Sequence, residues 1–164
     1  MPVKLLGCAL ITASGLAVGC MLTKKLGMRR DYMSRFCVFI SLMITQIRYS
    51  GADIFTLVKT SAGGAGLQMP GHDDGTESFV CYWERYIQNI PVKTGLNNSD
   101  KELLSEFGSA LGTTDIDGQL KHLELYGELF QNRLEECRGA FRDKSKIYRA
   151  LGLFGGISAA LLIM

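Results

Sequence analysis

Proline is scarce in this chain: there are three in 164 residues, and none lies beyond Pro91. Nothing of proline's making therefore breaks a helix in the last third of the sequence. Cysteine is present but unpatterned. Cys8, Cys20, Cys37, Cys81 and Cys137 are scattered, and no two form Cys-x-x-Cys. An odd, scattered set argues against a disulfide framework and for reduced thiols used as small apolar residues in a reducing compartment. His72 and His122 lie far from any cysteine pair, so no zinc site is expected. The net charge is only +2. There is no basic tail and no interleaving of aromatics with Lys and Arg, which excludes nucleic acid as a partner.

The signatures of catalysis and cofactor binding are also missing. The glycine-rich stretch 61–75 lacks the Gly-Lys-Ser/Thr ending of a phosphate loop, and no strand precedes it. Asp115-x-Asp117 fails the calcium-loop pattern, because Gln119 and Leu120 stand where an acid or amide and a glycine are needed. His72-Asp73-Asp74 is a weak chelating trio of loop residues. His122 has no nucleophile at useful spacing and reads as a surface or half-buried helix residue. No catalytic residue, metal or cofactor is expected, and the chain is not read as an enzyme.

What the chain does have is apolar sequence, 47% of it, concentrated at the two ends. Residues 5–22 carry no charge, which meets the length of about 18 expected of a membrane-spanning helix. Lys24, Lys25, Arg29 and Arg30 follow, against Lys4 and the amino terminus ahead. That asymmetry puts the amino terminus outside and the chain in the cytoplasm from Lys24. A cleaved signal would carry its cations before the apolar run, not after it. Ala17-Val18-Gly19-Cys20 has a lipoprotein flavour but lacks the leucine three residues before the cysteine.

Beyond the cations, Phe36, Ile40, Met43, Ile44 and Ile47 are spaced as one helical face, and Gly51 suits a left-handed cap. A short helix over 52–60 is expected to pack back on it, and 61–75 reads as a flexible loop. Thr76 is expected to cap a helix over 77–89 carrying Phe79, Val80, Trp83, Tyr86 and Ile87, with Trp83 as a core anchor. Residues 91–98 connect. Ser99 with Glu102 reads as a capping box for a helix over 100–111 that buries Leu103, Leu104, Phe107 and Leu111, and Gly112 closes it.

Thr114 with Asp117 is expected to cap a long closing helix running to the last residue. Ile116, Leu120, Leu123, Gly127, Phe130, Leu134, Cys137 and Phe141 recur at steps of four and three, as a buried seam does. A helix of about fifty residues is roughly 70–75 Å long. Lys144, Lys146 and Arg149 then mark a second membrane surface, and residues 150–164 are apolar, short for a span. Gly152, Gly155, Gly156 and Ser158 offer a small-residue face for close helix contact. The organisation expected is all-α: a first span over 1–23, a cytoplasmic helical bundle over 24–149, and a closing apolar or transmembrane segment over 150–164, both termini outside.

The residues Phe107-Gly108-x-x-Leu111-Gly112, then Asp115, Gln119 and Leu123, then Lys146-x-Tyr148-Arg149-x-Leu151-Gly152 before an apolar end, resemble the stage III sporulation protein AB family. Lys4-Leu5-Leu6-Gly7 and Ile47-x-Tyr49-x-Gly51 fit the same pattern. That family is similar to the cytoplasmic domains of type II secretion F and type IV pilus platform proteins, so the resemblance implies a bundle of about six helices. It also implies a membrane-anchored component of a secretion-like channel between mother cell and forespore. Its partners would be a cytoplasmic secretion-type ATPase and other membrane proteins of the same operon. Phe107, Gly108, Leu111, Gly112, Asp115 and Gln119 are then candidates for a partner surface. They read at least as well as a structural junction, with Phe107 and Leu111 in the core, Gly108 for close packing and Gly112 as a cap. A membrane-anchored sensor whose loop 61–75 binds a ligand is the alternative.

Overall fold

The computed structural model describes residues 2–49, 52–71 and 77–163. Among them the chain is all-α, with no strand. Five α-helices are present rather than about six: α1 (Pro2–Tyr49), α2 (Ile54–Ala65), α3 (Phe79–Asn89), α4 (Asn98–Ser109) and α5 (Ile116–Ile163), with a 3-10 turn at Val92–Thr94. Two compact units result. One is Asp31–Glu135; the other joins Met1–Arg30 to Glu136–Met164. The expected boundaries at 23/24 and 149/150 stand closer to the chain ends than these.

In the unit Asp31–Glu135, α1 presents Met33, Phe36, Phe39, Ile40 and Met43, all essentially without exposure. The spacing is that of one helical stripe. Ile44 and Ile47 lie on its half-buried flank. Against the stripe stand Trp83 of α3, Leu104 and Phe107 of α4, and Leu123 and Phe130 of α5. Phe36 is at the centre, with ring centroids 4.4 Å from Phe130, 5.1 Å from Phe39 and 5.5 Å from Phe107. Tilted and edge-on aromatic pairs of this kind add about 0.5–1.5 kcal/mol each beyond their buried area.

Several local expectations are corrected. Helix α2 does not stop near Thr60 but continues through Ser61, Ala62, Gly63, Gly64 and Ala65. Each glycine costs a helix about 1 kcal/mol against alanine, but packing outweighs propensity here. Ser61, Ala62 and Ala65 are buried, and a Cβ on Gly64 would stand 2.8 Å from Leu42 Cδ1 of α1. Gly66 then ends the helix with φ 69°, and Arg35 Nη1 donates to its carbonyl at 3.2 Å. The loop is thus shorter than read, and its His72-Asp73-Asp74 part lies outside the described residues, as do Gly51 and Thr76.

The caps also shift along the chain. Ser78 caps α3, accepting from the Cys81 N–H at 3.3 Å. Glu77 stays outside that helix, where Arg85 Nε donates to it at 3.1 Å. For α4 the capping box is Asn97 with Asp100, not Ser99 with Glu102: Asp100 N–H donates to Asn97 Oδ1 at 2.8 Å, and Asn97 N–H donates to Asp100 Oδ2 at 3.0 Å. Both pairs have the three-residue spacing, and only the first lets the N3 carboxylate be buried. For α5 the cap is Asp115, accepting from Gly118 N–H at 3.0 Å, rather than Thr114 with Asp117.

In the other unit, α1 and α5 meet at Phe141. A Cβ on Gly27 would lie 3.3 Å from the Phe141 ring, and the Arg30 guanidinium sits 4.6 Å above its centroid. Cys137 and Ser145 are buried there. Lys24, Lys25, Lys144 and Lys146 are exposed, while Arg29 and Arg30 are half-buried. The side chains of Arg149, Gly152, Gly155 and Gly156 lie outside the described residues. Among the described residues, no helix is long and apolar enough to cross a membrane.

Tyr32 of α1 and Tyr86 of α3 share a hydrogen bond between their hydroxyls. Burial raises the pKa of both phenols, Tyr86 to about 12 from an ordinary 10.0. The folded state therefore favours the neutral phenol more than the unfolded chain does. Its stabilising effect is complete below pH 10 and is lost as pH rises from there through about 12. In alkaline unfolding followed by circular dichroism, stability should fall across that window. Tyr86→Phe should lose about 1 kcal/mol at neutral pH and decline less steeply above pH 10.

Candidate functional site: the α4–α5 junction and its cleft

The junction is built from Trp83. Its indole N–H donates to the Leu104 carbonyl at 2.7 Å, deep in the core. The ring lies so close to α4 that a Cβ on Gly108 would fall 1.9 Å from Trp83 Cδ1. No side chain fits there. One residue earlier, Phe107 has ring centroids 5.5 Å from Trp83, 5.6 Å from Tyr126 and 6.0 Å from Phe130.

His122 of α5 closes the junction from the other side. Its ring stacks on Phe107 with centroids 5.7 Å apart and lies tilted against Tyr126 at 4.5 Å. Its Nε2 is 2.8 Å from the Phe107 carbonyl. A carbonyl can only accept, so that nitrogen carries the hydrogen. Phe107 is near the C-terminus of α4, where carbonyls lack partners within the helix, so the imidazole acts as a C-terminal cap donated from α5. This role was not visible from the spacing of His122 alone.

Between the two helices Gly112 takes φ 78°, the left-handed geometry that reverses the chain. Asp115 then starts α5. A second tie joins α4 to α5: Asp100, fully buried, has Oδ1 3.7 Å from Arg133 Nε. Sequence reading missed this pair, although Asn97-x-x-Asp100 carried the capping half of the signal.

The six candidate residues thus divide. Phe107, Gly108 and Leu111 are buried and serve the core. Gly112 and Asp115 are exposed in the turn. Gln119 is 6% exposed and lines a cleft of about 260 Å³ with Ile47, Ile54, Leu57, Gly112 and Ile116. Its Nε2 donates to the Thr114 carbonyl at 3.4 Å, but its Oε1 has no hydrogen-bond donor. Among the described residues, no group of His, Cys, Asp and Glu side chains could hold a metal ion.

The family model for stage III sporulation protein AB matches residues 4–164. The chain belongs to the stage III sporulation protein AB family. Its role is in sporulation. Among curated proteins, the stage III sporulation protein AB of Bacillus subtilis (strain 168) is 28% identical over 92 residues. The match takes in 56% of this chain and 54% of that protein, so it spans about half of the relative's length. No solved structure matches the chain.

Gly108→Ala should destabilise the bundle by about 3 kcal/mol, because the added methyl overlaps an indole held on both faces. Trp83→Leu should itself be costly, yet combining the two should be less than additive, since the clash is removed. Urea titration of the single and double variants measures the coupling. Additive losses would show that residue 108 does not meet the indole.

Proposed function

We propose that the chain is a non-enzymatic, membrane-anchored platform or adaptor in a secretion-like channel between mother cell and forespore. The stretch 5–22 and the segment 150–164 anchor it in the mother-cell membrane. The bundle stands in the mother-cell cytoplasm, where it docks a secretion-type ATPase and assembles with other membrane proteins of the same operon.

One observation carries the anchoring. Large apolar side chains are exposed on the uncharged part of α1: Leu10 at 63%, Val18 at 57% and Met21 at 72%. On the closing part of α5, Leu151 and Phe154 are equally open. Such a surface is unfavourable in water and neutral in lipid. Exposed Lys24, Lys25, Lys144 and Lys146 follow or precede it along the chain, as expected of headgroup-level cations. Adaptor function suits the helices as well. α1 and α5 each pass from these surfaces to bundle core residues without a break, so a load on the bundle is carried along a continuous hydrogen-bonded helix.

Detergent-extracted protein should co-purify with the operon's secretion-type ATPase. No association, together with a ligand-dependent thermal shift, would sink the adaptor reading in favour of a sensor. Topology is testable at Cys81, which is exposed, whereas Cys137 is buried and silent to reagent from either side. A membrane-impermeant maleimide added outside intact cells should leave Cys81 unmodified until the membrane is permeabilised. Modification beforehand refutes the cytoplasmic placement.

A further inference from the structure

We propose that the cleft beside the α4–α5 turn docks a basic segment of a protein partner that inserts one aliphatic side chain. The proposal rests on the adaptor reading above and assigns it a surface.

The shape of the cleft speaks first. At about 260 Å³ it falls below the roughly 300–1,000 Å³ of small-molecule sites. It has room for one inserted side chain rather than a cofactor. Its walls are aliphatic, from Ile47, Ile54 and Leu57, and Ile116 stands beside them 63% exposed. An isoleucine in the first turn of a helix, left this open next to an apolar recess, can gain from burial only by contact with another molecule.

Gln119 is the second, independent observation. It lines the same cleft, is more than nine-tenths buried, and keeps an acceptor without a donor. An unsatisfied buried carbonyl costs folding free energy. A leucine there would avoid the cost. An N–H or ammonium brought by a partner satisfies it.

Charge then selects the partner. Asp53 stands in the chain between the lining residues Ala52 and Ile54, and Asp115 between Thr114 and Ile116; Asp117 follows Ile116. All three carboxylates are exposed. Arg48, next to Ile47, is engaged by Glu124 at 3.3 Å. An acidic rim repels anionic lipid headgroups and nucleic acid and attracts Lys or Arg. The occupant is therefore a cationic protein segment with an aliphatic anchor.

The test uses the full-length chain in detergent and the purified secretion-type ATPase, with affinity measured at low and high salt. Ile116→Ser should weaken binding about ten-fold or more, as loss of a central anchor does. Replacing Asp53, Asp115 and Asp117 together by Asn keeps the caps and should flatten the salt dependence. Gln119→Leu should weaken binding while raising the Tm of the free chain, a combination that a purely structural glutamine would not give. Wild-type affinity in all three variants overturns the cleft and leaves the adaptor reading standing. Failure of the wild-type chain to bind the ATPase removes both. A self-dimer that Ile116→Ser dissolves assigns the cleft to a second copy and overturns the proposal.

Discussion

Trp83 can reach the backbone of α4 only because residue 108 carries no side chain, and much of the bundle depends on that approach. With the indole seated on Gly108 and its N–H given to the Leu104 carbonyl, the α3–α4 spacing is set by backbone contact rather than by side-chain length. Phe107, one residue earlier, is then turned inward against Phe36 of α1 and Phe130 of α5. Four of the five helices thus meet around two adjacent residues. A bulky residue at 108 would move the whole of α4 outward, because neither the indole nor Phe107 has free volume to retreat into at interior packing density.

The polar groups around this centre solve the problem that the aromatic packing creates. The end of α4 and the start of α5 leave backbone groups that their own helices cannot pair. His122 caps the Phe107 carbonyl, Asn97 and Asp100 satisfy one another at the start of α4, and Asp115 caps α5. The 3.7 Å approach of Arg133 to Asp100 places a cation beside a fully buried carboxylate, which would otherwise be expensive to keep. Gln119 is the exception in this set, since its buried Oε1 has no hydrogen-bond donor.

Much of the fold was legible in periodicity. The stripe on α1, the burial of Leu123, Phe130, Leu134 and Cys137 on α5, and that of Trp83, Leu104 and Leu111 follow from spacing alone, because a helix repeats every 3.6 residues whatever it packs against; Ile116, counted in the same seam, is 63% exposed. The errors fell where spacing is silent. Residues 61–65 have loop composition, yet they are helical because small side chains let α2 come close to Leu42; propensity is local and that contact is not. Cap positions slipped by one or two residues because Ser, Thr, Asn and Asp crowd each helix start, and only burial of Asp100 decides between overlapping boxes. The candidate residues split for the same reason. Phe107 and Gln119 belong to one motif in sequence, but helical phase sends the first into the core and the second to the cleft.

Polarity is distributed unevenly along α1 and α5, and each compact unit uses the two helices differently. In the Asp31–Glu135 unit, α1 and α5 bury one stripe and leave polar faces to water. In the unit that joins Met1–Arg30 to Glu136–Met164, the large apolar side chains of Leu10, Met21, Leu151 and Phe154 stand exposed instead. Within that unit Arg30 lies over Phe141, and Gly27 lets the ring in. A cation held on an aromatic face is partly desolvated without being buried unpaired. The contact therefore joins the two helices without the full desolvation that a buried salt bridge would require. A glycine, an aromatic and an arginine together tie α1 to α5 within that unit.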